Sequence, residues 1–492
     1  MTVHQIAGES AQLSLAAPVR SRAPGCTVPL TAMQLRNWTA CARHGRHSSR
    51  RVCASAVRIL GKLDCTLLQR CIETVVRRHE ALRTRIITVD GAPRQHIDAV
   101  CEYRLETIAL PEFSSVDTER EVMRLAQVFL HEEIDLAVGP LFEARLWKLS
   151  GQEHVLILAL DHMVGDGISY GILNREVWTL FRRGAQPPAS ALPPVPVQFA
   201  DYAIWQHLTR DHWTRTNRQY WTERLAGAPR LQLPVDAGSC AQLAQSSVVA
   251  QHIPFGQALS AALRAVARRE GTLLSLLILS IYVIVISRWS RQNDVVISYV
   301  SHGRDRRPEL ANTIGFIASL LFLRITTTAT DSFRTLIHRV ALEVSTALEH
   351  ADFDRVPDFI PECGSEATFN WQSTHSARGP LDHHFVPEIS SQLDFAPSWA
   401  SARNEPCHTT DNALSIRPFP AYCSDGAVKF APIFYDTTSG IHLVVMYSPH
   451  LLSASALARF RCSLLSIAEY ITENPSSRIT EMPWTVPDID GS

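Results

Sequence analysis

HVLILALDHMVGDGIS, residues His154 to Ser169, reads as a strand, a tight turn and the start of a helix. The near-continuous apolar run His154 to Leu160, bounded by turn residues, predicts a buried strand. A helical pattern then leaves the turn, from Ile168 to Arg183, with Ile168, Ile172, Val177, Leu180 and Phe181 on one stripe. It closes on Arg182, Arg183 and Gly184, cations and a glycine where a helix C-terminus favours them. Between the two, Gly165 and Gly167 are expected to take backbone angles that other residues resist, so that His162 sits at a strand end with its ring in a cleft. Histidine titrates at about pH 6.5, so a neutral ring there can accept a proton from an attacking amine or alcohol. Asp166 is expected to pair with a buried arginine across the turn or to cap the following helix, and one side chain can do both.

Working outward, Thr31 in PLTAMQLRNW (Pro29 to Trp38) is placed to cap a first helix, followed by a loop rich in Arg and His. Leu67, Leu68, Cys71, Ile72, Val75 and Val76 recur at helical spacing. Ile86 to Val89 and Gln95 to Ile97 flank Asp90-Gly91, which reads as a hairpin. A further amphipathic helix around Val122 to Phe129 and a strand from Phe142 to Leu149 lead into the central strand. Gln186 to Val197 holds five prolines and predicts an extended connector. The expected organisation is a leader over 1–28, an N-terminal lobe over 29–184, a Pro-rich linker over 185–198 and a C-terminal lobe over 199–492. Both lobes mix helices and strands, so the fold class is layered α/β.

With 492 residues, 46% of them hydrophobic, the chain can bury a large core and exceeds one ordinary domain. Lys plus Arg at 47 nearly balance Asp plus Glu at 48, which gives no reason to expect nucleic acid or an anionic membrane as partner. The 11 cysteines are scattered and odd in number, without a C-x-x-C pair, so a reduced, cytoplasmic protein with no metal is expected. The N-terminal stretch lacks a charged start and a long apolar segment, and reads as a loose leader rather than a secretory signal. Leu273 to Ile286 is interrupted by Ser275 and Ser280 and falls short of the roughly 20 residues of a membrane helix. It predicts a buried core helix.

Taken together, these stretches resemble the condensation domains of nonribosomal peptide synthetases, in the chloramphenicol acetyltransferase-like superfamily. PLTAMQLRNW is similar to the family's opening motif and RRHEALRT (Arg77 to Thr84) to its second. DHMVGDG stands where the family has H-H-x-x-x-D-G. DYAIWQ (Asp201 to Gln206) resembles the fourth motif, and SHGRDRRPELANTIGF (Ser301 to Phe316), with Arg324, the fifth. The resemblance implies two chloramphenicol acetyltransferase-like lobes forming a V, with the site at their junction and a tunnel entered from two faces. It makes His162 the catalytic residue, as base or as a group that positions the nucleophile. It gives Asp166 a structural salt bridge, with Arg304 as the expected partner, and Gly167 the role of keeping the turn open. Ser169, Ser319 and Asn370 are candidates for tunnel or substrate contact.

The resemblance further implies an acyl, peptidyl or polyketidyl donor held as a thioester on the phosphopantetheine arm of an acyl or peptidyl carrier protein. With no adenylation or carrier segment recognisable in the sequence, a free-standing monomer is expected, with its carrier protein acting in trans. The acceptor would be a small-molecule or carrier-bound amine or alcohol, and no cofactor would be bound by the chain itself. Three features depart from the pattern. Asp161 replaces the first histidine, at a strand position expected to point away from the face His162 serves. Ser319 replaces an asparagine of the fifth motif. Asp161, Asp166 and Ser169 fit D-x-x-x-x-D-x-x-S, the pattern of heterocyclization domains. Val300 in VSHGR stands where epimerization domains need a glutamate, which argues against that activity. A coenzyme A-dependent acyltransferase and a non-catalytic docking or recruitment module remain as alternatives.

Overall fold

In a computed structural model of the chain, the apolar run ahead of the turn is a strand that buries both faces. Leu156, Leu158 and Leu160 enter one core while Val155, Ile157 and Ala159 enter another. Side chains alternate along a strand, so a strand covered on both sides is apolar at every position. The structure describes residues 19, 28–43, 48–99, 102–111, 115–184, 192–234, 249–304, 306–351, 367–373, 407–408, 413–418, 430–437, 439–449 and 452–484.

The N-terminal half runs β1 (Val28–Pro29), α1 (Ala32–Arg43), β2 (Ser48–Leu60), α2 (Cys65–Arg78), β3 (Thr84–Val89) and β4 (Ala92–Ile97). It continues with β5 (Glu106–Ala109), α3 (Ser115–His131), β6 (Glu133–Asp135), β7 (Phe142–Ser150), β8 (Glu153–Asp161) and α4 (Gly167–Arg183). Strand β8 lies between β2 and β7, antiparallel to both. Helices α2 and α4 cover one face of this sheet and α3 the other. The expected hairpin is present: β3 and β4 are joined by Asp90 and Gly91, with φ of 50° and 75°, the two left-handed residues that a type I′ turn requires. Where the sequence reads as a loop rich in Arg and His, the structure has β2, a strand of 13 residues. Its central residues are small, Cys53, Ala54, Ser55 and Ala56, and give little hydrophobic signal.

The C-terminal half contains α5 (Phe199–Leu225), β9 (Val249–Pro254), α6 (Gln257–Arg269), α7 (Leu274–Ser290), β10 (Asp294–Ser301), β11 (Ser319–Thr326) and α8 (Phe333–Glu349). Next come β12 (Thr368–Ser373), β13 (Cys407–His408), β14 (Ala413–Pro418), β15 (Phe430–Thr437), β16 (Gly440–Tyr447) and α9 (Ala454–Glu473). A six-stranded sheet in the order β11-β10-β12-β15-β16-β9 shares its core with α6 to α9. Among the described residues no single helix is long and apolar enough to cross a membrane. The greasy helix α7 is buried on nearly all sides, from Leu277 to Ser287.

Several segments cross the boundaries expected from the sequence. Helix α5 serves both cores, placing Phe199, Tyr202 and Trp205 in the first and Trp221 and Leu225 in the second. Strand β14 leaves the C-terminal half to pair with β2, covering an edge that would otherwise expose unpaired backbone groups. Val19, in the stretch read as a loose leader, is 3% exposed in the first core and donates its N–H to Glu309 Oε1 at 3.0 Å. Val28, the last leader residue, is in β1 opposite Gln95; leader residues 1–18 and 20–27 and linker residues 185–191 lie outside the described residues.

Candidate active site

The turn after β8 is closed by its own polar groups. Asp161, fully buried, accepts the Met163 N–H at 2.7 Å on its side chain and the Val164 N–H at 3.0 Å on its carbonyl. An aspartate thus makes a local backbone-mimicking turn here. Gln34 of α1 reaches in, donating to the Met163 carbonyl at 2.6 Å. Gln34 is held in turn by Thr31, since the Gln34 N–H donates to Thr31 Oγ1 and the Thr31 N–H to Gln34 Oε1, at 3.2 and 2.9 Å. This reciprocal capping explains both residue types at the start of α1. The Ala32 N–H donates to Gln206 Oε1 at 2.8 Å, which links the DYAIWQ stretch to the same corner.

His162 is half-buried, with its ring stacked on Phe316 at 4.8 Å between centroids. Its Nδ1 lies 2.9 Å from the Gly165 carbonyl oxygen. A carbonyl oxygen can only accept, so Nδ1 carries the proton in the neutral ring and Nε2 the lone pair.

The glycines of the turn have a different reason from the one expected. Neither Gly165 nor Gly167 has a positive φ. What they supply is space: a Cβ on Gly165 would lie 2.8 Å from Leu160 Cδ1, and one on Gly167 would lie 2.9 Å from Gln372 Nε2.

Asp166 both caps α4 and pairs with Arg304. Its Oδ1 accepts the Ser169 N–H at 3.0 Å and the Ser169 hydroxyl at 2.8 Å. Its Oδ2 accepts Arg304 Nη1 at 2.8 Å and the backbone N–H groups of Ile317 and Ala318 at 3.1 and 3.0 Å. Burial pushes the Asp166 carboxyl up, but the Arg304 guanidinium and the bonds from Arg304 and Ser169 outweigh it and hold the group below the usual carboxylate range. Arg304 is itself 6% exposed and donates to the Thr313 and Gly315 carbonyls. The β10–β11 connection is thereby fastened to the turn of the other half. Ser169, expected at a tunnel wall, is instead fully buried in this node, where the Gly315 N–H donates to its Oγ at 3.1 Å. Arg324 is remote from it, paired with Asp294 at 2.7 Å. The second motif is structural as well: Glu176 of α4, fully buried, is contacted by His79 Nε2 at 2.9 Å and Arg78 Nε at 3.0 Å.

Gly315 is the tightest point of the node. A Cβ there would lie 2.3 Å from the Phe199 ring, which is itself fully buried. Gly315→Ala is expected to cost about 1–3 kcal/mol and to displace the Ile317 and Ala318 donors. Chemical denaturation compared with transfer activity checks this; an unchanged midpoint refutes it.

A cleft open to solvent runs between α1, α5 and the β10–β11 connection. Ser319 and Phe316 line it, so Phe316 has one contact with the cleft and another with the His162 ring. His162 and Asn370 are not among its lining residues. Asn370 sits on β12 two positions before Gln372, and so on the strand face that Gln372 turns toward Gly167.

Two layered α/β halves, joined at a turn that presents a histidine, define the class of protein. The family model described as Condensation domain matches residues 26–357. A linear gramicidin synthase of Brevibacillus parabrevis is 32% identical over 87% of this chain, and phosphinothricin tripeptide synthetase PhsC of Streptomyces viridochromogenes is 32% identical over 78%. The chain spans only 8% and 35% of those two proteins. Among solved structures, the X-domain in complex with OxyB from teicoplanin biosynthesis superposes with a TM-score of 0.75 at 21% identity, covering 96% of this chain and 99% of that one. The first condensation domain of the calcium-dependent antibiotic synthetase, bound to a substrate analogue, gives 0.70 at 19%, covering 94% and 100%. The chain belongs to the condensation-domain family and has its fold.

Proposed function

We propose that this chain transfers an acyl or peptidyl group from the phosphopantetheine thioester of a carrier protein to an amine or alcohol, with His162 assisting the attack. The observation that carries the proposal is the placement of His162 at the strand end with Nδ1 2.9 Å from the Gly165 carbonyl oxygen; in a neutral ring that contact puts the proton on Nδ1 and the lone pair on Nε2. The acceptor nitrogen or oxygen attacks the thioester carbon while its proton passes to Nε2. The tetrahedral intermediate then collapses, the C–S bond breaks, and the imidazolium returns the proton to the departing thiolate. Amide or ester and free carrier thiol are the products. Asp166, Ser169 and Arg304 do not enter these steps; they hold the turn against the β10–β11 connection. Membership of the family and likeness to peptide synthetases support this reading.

The heterocyclization pattern gains nothing from geometry, because Asp161 and Ser169 are buried and used to build the turn and the node. The test mixes the protein with an acyl-loaded carrier and candidate amines and alcohols, and follows carrier mass and joined product. Unloading with stoichiometric product is expected. Unloading to free acid alone, or no unloading with any acceptor, rejects the transferase and leaves hydrolysis or recruitment. Product lighter by one further water assigns cyclization.

A further inference from the structure

Buried arginines of this chain differ in how they are satisfied. Arg304, at the node beside the cleft, has carboxylate and carbonyl acceptors, and Arg288, at the end of α7, donates to the Met482 and Pro483 carbonyls. Arg36 on α1 is half-buried and lines the cleft, yet among the described residues it makes no hydrogen bond or ion pair. Burial lowers its pKa, and among the described residues no carboxylate offsets that. Arg306 and Arg307 line the same cleft, and among the described residues no Asp or Glu does. The Arg307 guanidinium carbon lies over the Trp205 ring, 3.6 Å from its centroid, a cation–π contact.

We propose that Arg36, flanked by Arg306 and Arg307, is a binding subsite for an oxyanion, a carboxylate or phosphate carried by the molecule that enters this cleft. A half-desolvated charge without a counter-ion costs stability, and an arriving anion supplies the missing partner. The guanidinium's planar fork suits a bidentate carboxylate or phosphate. The proposal deepens the transferase reading by naming the chemistry of a substrate, which would be either an acidic acceptor or the phosphate of a carrier arm. It is tested by binding rather than turnover, so the two stand or fall separately.

Isothermal titration of the whole chain at low salt compares 4′-phosphopantetheine with pantetheine, and glutarate with glutaramide. One anion is expected to bind about tenfold or more tightly than its neutral counterpart, with an advantage that shrinks as salt rises. The pair that shows the advantage identifies the source. Arg36→Met should remove it, Arg36→Lys should keep part, and His162→Ala should leave it intact. Arg36→Met should also melt no lower than the wild type, because it removes a partly desolvated charge that has no carboxylate partner among the described residues, while keeping an extended apolar side chain. Equal binding of anion and neutral partner in both pairs overturns the proposal. So does an advantage that survives Arg36→Met, or a marked drop in melting temperature on that substitution, which would assign Arg36 to the fold.

Discussion

Asp166→Ala is expected to destabilise the protein by about 3–5 kcal/mol, the cost of leaving one member of a buried ion pair alone, and to lower its melting temperature by several degrees. The substitution deletes five hydrogen bonds at one carboxylate, from Arg304, Ser169 (twice), Ile317 and Ala318. Arg304, 6% exposed, would keep its carbonyl partners and lose its counter-charge. Against a typical folding free energy of about 5–15 kcal/mol the loss is large. Transfer should fall too, because the β10–β11 connection carries Phe316, which stacks on His162. A double-mutant cycle separates pairing from packing: Asp166→Ala with Arg304→Leu should cost less than the two single changes summed. Strict additivity would refute the pairing.

The same carboxylate gives a pH signature. Asp166 is held below its ordinary value of 3.8 in the folded protein, so folding favours the ionised form. Its contribution is complete at neutral pH and drains away as acid titrates downward from that ordinary value through the depressed one. Asp166→Asn should flatten this part of the acid unfolding curve, and a curve parallel to the wild type would remove Asp166 from the acid response.

How much of this is legible in the sequence follows from where information is stored along a chain. The turn is readable because strand, glycines and helix are contiguous, and the Asp90-Gly91 hairpin because a two-residue loop admits few residue types. The Asp166–Arg304 contact, 138 residues apart, carries no local pattern, and only the resemblance supplies the partner. Strand β2 escapes because its central residues are small and its apolar alternation is weak. The double duty of α5 escapes because its apolar residues serve two cores in turn, and β14 because its partner β2 lies more than 350 residues away, with Ser415 opposite Leu60. Gly165 and Gly167 are the right residues for another reason: their demand is clearance from Leu160 and Gln372, and the positions of those side chains are set by the folded structure.

His162→Ala is expected to lower acyl transfer by about 10²–10⁴-fold, the usual worth of a positioned acid–base group, while the fold is retained. The two effects separate because the ring is half-buried and rests against the Gly165 carbonyl and the face of Phe316, so its loss removes little packing. The turn keeps its other ties, from Asp161 to Met163 and Val164, from Gln34 to Met163, and from Asp166 to the β10–β11 connection. Loss of rate alone does not distinguish a base from a group that orients the nucleophile. Added imidazole does: it can occupy the space left beside Phe316 and accept a proton, but it cannot restore a contact that depended on attachment to the chain. Rescue of the Ala variant that rises with free-base imidazole assigns proton transfer to Nε2, whereas an activity loss indifferent to imidazole assigns positioning. A variant that transfers at the wild-type rate removes His162 from the reaction, and with it the observation on which the proposed chemistry rests.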